Sequence, residues 1–301
     1  MYSGVFMIFL PLVLGYVITL KSESWHQRIN KAVSYLIYVI LFFMGLSLSA
    51  LDNLSTNLQT ILLFTGTFFI CIGVCNIAAL PFIDKWMPIA AQSKASSIPI
   101  YLLALESVKL IVVVAAGLLV GLILPFPIPF ISESSEAILL LLLFFIGIQL
   151  RNSGLTLKQI ILNKRGMIIA TIVVITSWIG GMIAAFILDI PLNNALAMAS
   201  GFGWYSLAGI LMGDAYGPVY GGASFMLELL RELVALIIIP LLIRRYPCST
   251  IGYAGATAMD FTLPVIQNTG GVKCVPIAIV SGFILSLLVP VLMLFFISLG
   301  N

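Results

Sequence analysis

Six ionisable residues sit inside long apolar runs of this sequence: Glu106, Lys109, Glu228, Arg231, Glu232 and Asp260. At a membrane-helix centre such groups cost roughly 2.5–3.5 kcal/mol each on insertion scales, so each should face protein or water and meet a partner. Glu106 and Lys109, in "LALESVKL", are i,i+3 and can pair along one helix face. A structural ion pair explains them as well as a functional one does. "ELLRELVA" places Glu228 and Glu232 at i,i+4, on one face, with Arg231 three residues beyond Glu228. The arginine can neutralise one carboxylate, which leaves the other able to take a proton or bind a cation. An ion network between helices is the competing reading.

Asp260 lies in "GATAMDFTLPVIQNTGG" (255–271), an apolar stretch broken by turn-forming residues. Pro264 has no N–H, so in a helix the carbonyl of residue 260 would go unsatisfied. The stretch therefore offers a carboxylate beside a freed carbonyl, hydroxyls from Thr257 and Thr262, and amides from Gln267 and Asn268. That set suits an ammonium group, Na⁺ or a proton; an aspartate that merely caps a half-helix is the alternative. In a similar stretch, "ASGFGWYSLAGI" (199–210), Trp204, Tyr205 and Ser206 hold the equivalent place. They can supply an aromatic wall, hydroxyls and cation–π contact, although packing within a helix bundle explains them equally.

These residues need elements to carry them. The chain has 301 residues, 61% hydrophobic and 8% charged, against about 25% charged in a soluble domain. The pattern is that of an all-α polytopic membrane protein, a single transmembrane domain over 1–301. Clear apolar spans cover 3–20, 33–51, 58–83, 100–124, 136–150, 166–188, 219–243 and 275–298, each long enough to cross about 30 Å of hydrocarbon with some tilt. The first lacks a basic start and a cleavage site and reads as a retained helix. Two further apolar stretches, 193–213 and 251–267, are interrupted by Gly, Ser, Thr or Pro. Non-helical backbone at membrane depth must be buried in protein or line a water-filled cavity.

Charge sets the orientation. Lys21, Arg28, Lys31, Lys85, Lys94, Arg151, Lys158, Lys164 and Arg165 fall in alternate loops, whereas Asp52, Glu133 and Glu136 fall in the others. If 193–213 and 251–267 each dip in and return, Arg244, Arg245 and Lys273 join the basic side. The expected topology is eight spans plus two re-entrant or broken segments, with both termini outside. The only histidine, His26, lies in a polar loop, and Cys71, Cys75, Cys248 and Cys274 form no CxxC pair. Cys71 and Cys75 read as core packing. A metal site, a Ser-His-Asp triad or any other enzyme site has little to work with, and no cofactor or nucleic acid is expected.

"LFFMGLSL" (41–48) recurs as "LFFIGIQL" (143–150), 102 residues and three spans later. An odd number of spans reverses direction, so 1–83 and 100–188 read as inverted three-helix repeats. The weaker pair, 193–243 and 251–298, each joins a broken segment to one span. Paired broken segments within inverted repeats are a mark of secondary transporters with sites near the midplane.

"LFFIGIQLRNSGLTLKQIILNKRGM" (143–167), "NALAMASGFGWYSLAGIL" (194–211), "RELVALIIIPLLIRR" (231–245) and "GATAMDFTLPVIQNTGGV" (255–272) resemble the bacterial lysine exporter (LysO) family, over essentially the whole chain. The resemblance implies an inner-membrane exporter of L-lysine and of toxic analogues such as thialysine, with eight spans and functional weight on Glu232 and Asp260. Lysine efflux in exchange for protons, around intramembrane acids, is then the expected mechanism. Na⁺-coupled transport of a small organic anion and a channel are the alternatives. The sequence leaves the oligomeric state open, a homodimer included.

Overall fold

The computed structural model describes residues 2–20, 22–49, 54–89, 100–123, 131–152, 163–271 and 273–300. Lys21, Asp52, Lys94 and Lys158 lie outside the described residues, as do the side chains of His26, Glu106, Glu133 and Glu136. Every described element is helical. The helices are α1 (Tyr2–Val17), α2 (Glu23–Ser49), α3 (Leu54–Trp86), α4 (Ile100–Ile123), α5 (Ile131–Arg151), α6 (Lys164–Leu188), α7 (Leu192–Ala199), α8 (Tyr205–Tyr216), α9 (Pro218–Leu242), α10 (Pro247–Ala254), α11 (Leu263–Gly270) and α12 (Val275–Gly300). A five-residue 3₁₀ turn, Gly255–Met259, separates α10 from α11.

Helices prevail because apolar runs in hydrocarbon must satisfy every backbone group within the segment. Four described helices are long and apolar enough to cross a membrane: Gln27–Leu46 of α2, Ser55–Trp86 of α3, α6 and α12. Together with the shorter apolar stretches Ile111–Ile123 of α4 and Ala137–Gln149 of α5, they make this a multi-pass membrane protein.

Helix ends follow local chemistry. Asn163 caps α6 by accepting from the Gly166 N–H at 3.0 Å, supplying one of the partners that a first turn lacks. Pro218, Pro247 and Pro264 stand in the first turns of α9, α10 and α11, where a missing N–H removes no helical bond.

The helices pack in pairs: α1 on α5, α2 on α4 and α3 on α6. The first two pairs meet through glycine. Gly15 lies against the Phe144 carbonyl and Gly147 against the Leu12 carbonyl, with no room for a Cβ. Gly45 and Gly117 meet the carbonyls of Val114 and Phe42 in the same way. Close backbone approach through small residues is a main source of helix association where lipid removes the hydrophobic drive. α3 and α6 also meet through glycine, Gly180 lying against the Ile72 backbone, and are joined by a buried bond from Thr176 Oγ1 to Asn76 Oδ1 at 2.5 Å. α12 is the most buried of the four long spans, with 67% of its apolar window covered, and packs on α6, α7 and the 3₁₀ turn.

Both interrupted stretches are pairs of half-helices. α7 and α8 flank a break at 200–204, and α10 and α11 flank the 3₁₀ turn and residues 260–262. The N-terminus of α10 is held from outside the segment. Asp84, near the end of α3, accepts from the Cys248 N–H at 2.7 Å, the Ser249 N–H at 3.0 Å and the Ser249 hydroxyl at 2.5 Å. A carboxylate at this end satisfies orphan donors and suits the helix dipole.

Candidate functional site

The two breaks cross each other. The Ala256 N–H donates to the Phe202 carbonyl at 2.8 Å, a single backbone bond between the broken segments. Phe202 and Gly203 have φ of 46° and 97°, and Gly255 has φ of 67°. Gly255 lies so close to the Phe202 carbonyl that a Cβ would collide with it, and a Cβ on Gly203 would come within 3.1 Å of the Ala254 carbonyl. Positive φ and close backbone approach both select glycine. Hydroxyls stabilise the rest of the turn: Thr257 Oγ1 donates to the Ala254 carbonyl at 2.9 Å, and Thr262 Oγ1 to the Thr257 carbonyl at 3.0 Å.

A cavity of about 530 Å³ opens beside this crossing. Its walls come from Asn30, Val33 and Ile37 of α2, Leu142, Ile146, Gln149 and Asn152 at the end of α5, residues 203–207 at the first break and the start of α8, Glu232 of α9, Ala256, Thr257, Met259, Asp260 and Phe261 of the second break, and Ser286 of α12. Among the described residues lining it, the only charged ones are the two acids, Glu232 and Asp260. Asp260 is exposed to the cavity, and its Oδ1 accepts from the Phe261 N–H. Glu232 is only 1% exposed. Carboxylates in a cavity whose described lining carries no cationic side chain favour a cation or proton there.

The structure separates the residues singled out from the sequence. Asp260, Glu232, Trp204, Tyr205 and Ser206 line the cavity together. Glu228 and Arg231 do not. Glu228 is fully buried; its Oε2 accepts from Arg231 Nη1 at 3.1 Å and from the Gly203 N–H at 2.5 Å. Thr262, Gln267 and Asn268 also lie outside the cavity lining. Thr262 is spent on the Thr257 carbonyl, while Gln267 and Asn268 belong to α11, beyond the turn. Lys109 is exposed on α4; the Glu106 side chain expected to pair with it is outside the described residues.

One local expectation is corrected. The Asp260 carbonyl, thought to be freed by Pro264, accepts from the Leu263 N–H at 3.2 Å. Residues 260–262 form a tight turn, and an i+3 donor takes the place of the missing i+4 donor.

Asn30 and Gln149 carried no signal in the sequence. They come from distant helices, and Gln149 Nε2 donates to Asn30 Oδ1 at 2.8 Å in the cavity wall. Asn152 is engaged at the same end, where its amide bonds the Ile18 and Ile148 carbonyls and accepts from the Leu20 N–H. The first turn of α8 also lines the cavity, with Tyr205, Ser206 and Leu207, and its N-cap, Trp204, makes no side-chain capping bond.

The family model described as "Lysine exporter LysO" matches residues 111–297. The chain is 52% identical over 297 residues to the lysine exporter LysO of Escherichia coli, covering 98% of this chain and 99% of that protein. It is 43% identical over 190 residues to a Haemophilus influenzae protein named "Putative lysine exporter", covering 63% of this chain and 97% of that protein. No solved structure matches. On the family match and on near-complete similarity to its Escherichia coli relative, the chain belongs to the lysine exporter LysO family, a family of transporters and not of enzymes.

Proposed function

We propose that this protein exports L-lysine, and analogues such as thialysine, across the bacterial inner membrane in exchange for protons. The observation that carries the reading is the cavity at the crossing, whose described lining holds two carboxylates and no cationic side chain. The names of both relatives give lysine as the exported substrate. Lysine has two ammonium groups and one carboxylate. Its side-chain ammonium suits Asp260 or Glu232. Its α-carboxylate suits the N–H groups at the start of α8, where the helix dipole favours negative charge. Arg231 lies outside the cavity lining.

Proton exchange follows from electrostatics. Moving a net cation out against an inside-negative potential costs about 2.3 kcal/mol per charge per 100 mV. An entering proton cancels that movement, and an acid that holds either the ammonium or the proton links the two fluxes. A Na⁺-coupled carrier of an organic anion fits less well, because the described cavity wall offers no lysine or arginine to an anion.

The scaffold proposed for this exchange is eight spans, both termini outside, and inverted repeats. Gly117 lies 102 residues after Gly15, and Gly147 lies 102 after Gly45, the offset of the sequence repeat. The contact of Gly15 with the Phe144–Ile148 stretch around Gly147 thereby maps onto that of Gly117 with the Phe42–Gly45 stretch. Two equivalent contacts with exchanged partners are what an inverted repeat requires. Vesicles loaded with labelled lysine test the mechanism. An inward proton gradient should accelerate efflux, and a protonophore should remove the acceleration. Efflux that ignores both, or that follows Na⁺ instead, defeats the proton mechanism.

A further inference from the structure

Glu228 and Arg231 are buried at 0% and 2% exposure, outside the lining of the cavity that Glu232 enters one helical turn further along α9. Their partners are backbone at the crossing. Glu228 Oε2 accepts from the Gly203 N–H at 2.5 Å and from Arg231 Nη1 at 3.1 Å. Arg231 Nη2 has no hydrogen-bond partner and stands 3.8 Å from the position of a Cβ on Gly255. The negative member thus meets the first break immediately before α8 begins. The positive member faces the second break immediately after α10 ends. Each charge has the sign that the adjoining half-helix end favours. A backbone N–H released by a break inside a membrane protein must find an acceptor, and Glu228 provides it.

We propose that the Glu228–Arg231 pair is a positioning brace rather than part of the cation site: it holds the two broken segments in register, and so sets where Trp204–Ser206 and Asp260 stand relative to Glu232. The role rests on the lysine-export reading for its transport readout, but its geometry does not. The acceptor at Gly203 is the essential feature; the charges serve it.

Two double variants separate acceptor from charge. E228Q/R231M removes both charges and keeps an oxygen that can accept from Gly203. E228L/R231M removes the charges and the acceptor together. Lysine efflux is measured in vesicles, normalised to folded protein. KM should stay within about twofold of the parent in the first and rise about tenfold in the second, the scale of one buried donor left unmatched. A merely structural role lowers the amount of folded protein equally in both and leaves KM alone. Equal KM in the two variants overturns the proposal. So does loss of folding in E228Q/R231M.

A third variant reaches the brace without touching either charge. A methyl on Gly201 would come within 2.6 Å of Glu228 Oε1 and 2.9 Å of its carboxyl carbon. G201A should push the carboxylate off Gly203 and raise KM as E228L/R231M does; an unchanged KM overturns the brace. If E228L/R231M alone fails to fold, G201A decides. A readout free of substrate keeps this apart from the export reading. With Cys71, Cys75, Cys248 and Cys274 replaced and Ser206→Cys introduced, maleimide labelling in membranes should change in G201A and E228L/R231M and not in E228Q/R231M. Identical labelling in all three defeats the brace even where lysine export is normal. A changed pattern without lysine export supports the brace and defeats the export reading.

Discussion

Glu228 and Glu232 are one turn apart on the same helix, yet they face different surroundings. Glu228 is sealed, bonded to Arg231 and to the backbone of the first break. Glu232 lines a cavity whose other described charge is Asp260. The contrast teaches that the role of a carboxylate in a membrane protein is assigned by what lies across from it. A site with backbone donors and a guanidinium makes an acid structural. A cavity lined by a second acid and by no described cationic side chain is where we propose that a cation is received.

The comparison breaks most visibly at Glu228. Glu228→Ala leaves Arg231 as an uncompensated buried charge and Gly203 without its acceptor, so it should cost about 3–5 kcal/mol of stability. The amount of folded protein after detergent extraction checks this; an unchanged yield would put Glu228 in the same class as Glu232.

Asp260→Asn and Glu232→Gln should do the reverse. The fold should persist while lysine efflux and thialysine resistance fall by about a hundredfold, the scale of losing one charged partner in a desolvated site. Normal export by both folded variants would empty the cavity of its proposed role.

Asp84→Ala probes a carboxylate on the structural side of the comparison but far from the crossing. It removes the acceptor of two N–H groups and one hydroxyl at the start of α10. About 1–3 kcal/mol of stability should be lost. KM for lysine should stay close to that of the parent, because α10 is pinned at its other end by the crossing; a large KM change would extend the positioning role to this cap. The smallest effect is expected from Gln149→Ala, which removes the 2.8 Å amide bond to Asn30 in the cavity wall. Efflux should change only a few-fold, as for a neutral hydrogen bond worth about 1 kcal/mol. A loss comparable to Asp260→Asn would place the amide pair within the cation site.

Much of this was legible before any coordinates. Apolar runs bounded by polar residues mark the long helices. Gly, Thr and Pro in 251–267 mark a broken segment, and Asp260 stands out as a carboxylate within it, four residues before Pro264. The similarity of 199–210 to the stretch around Asp260 suggests two related breaks, and those stretches meet through Ala256 and Phe202. Other features were not legible. Pro264 correctly signals a missing N–H, but Leu263 supplies a substitute through a turn that no periodicity encodes. Gln149 and Asn30 are 119 residues apart and share no pattern.

The chain by itself determines which segments are helices, where two of them must break, and which acids are too costly to be idle, because these follow from local hydropathy, turn chemistry and the price of charge in hydrocarbon. Its local pattern does not divide Glu228 from Glu232, because residues at i,i+4 share one helix face; in the sequence only the family resemblance sets Glu232 apart. Tertiary structure decides that division. The first break brings the Gly203 N–H to Glu228, the second brings Asp260 into the cavity that Glu232 lines, and the crossing of the two breaks sets which acid meets backbone and which meets the cavity.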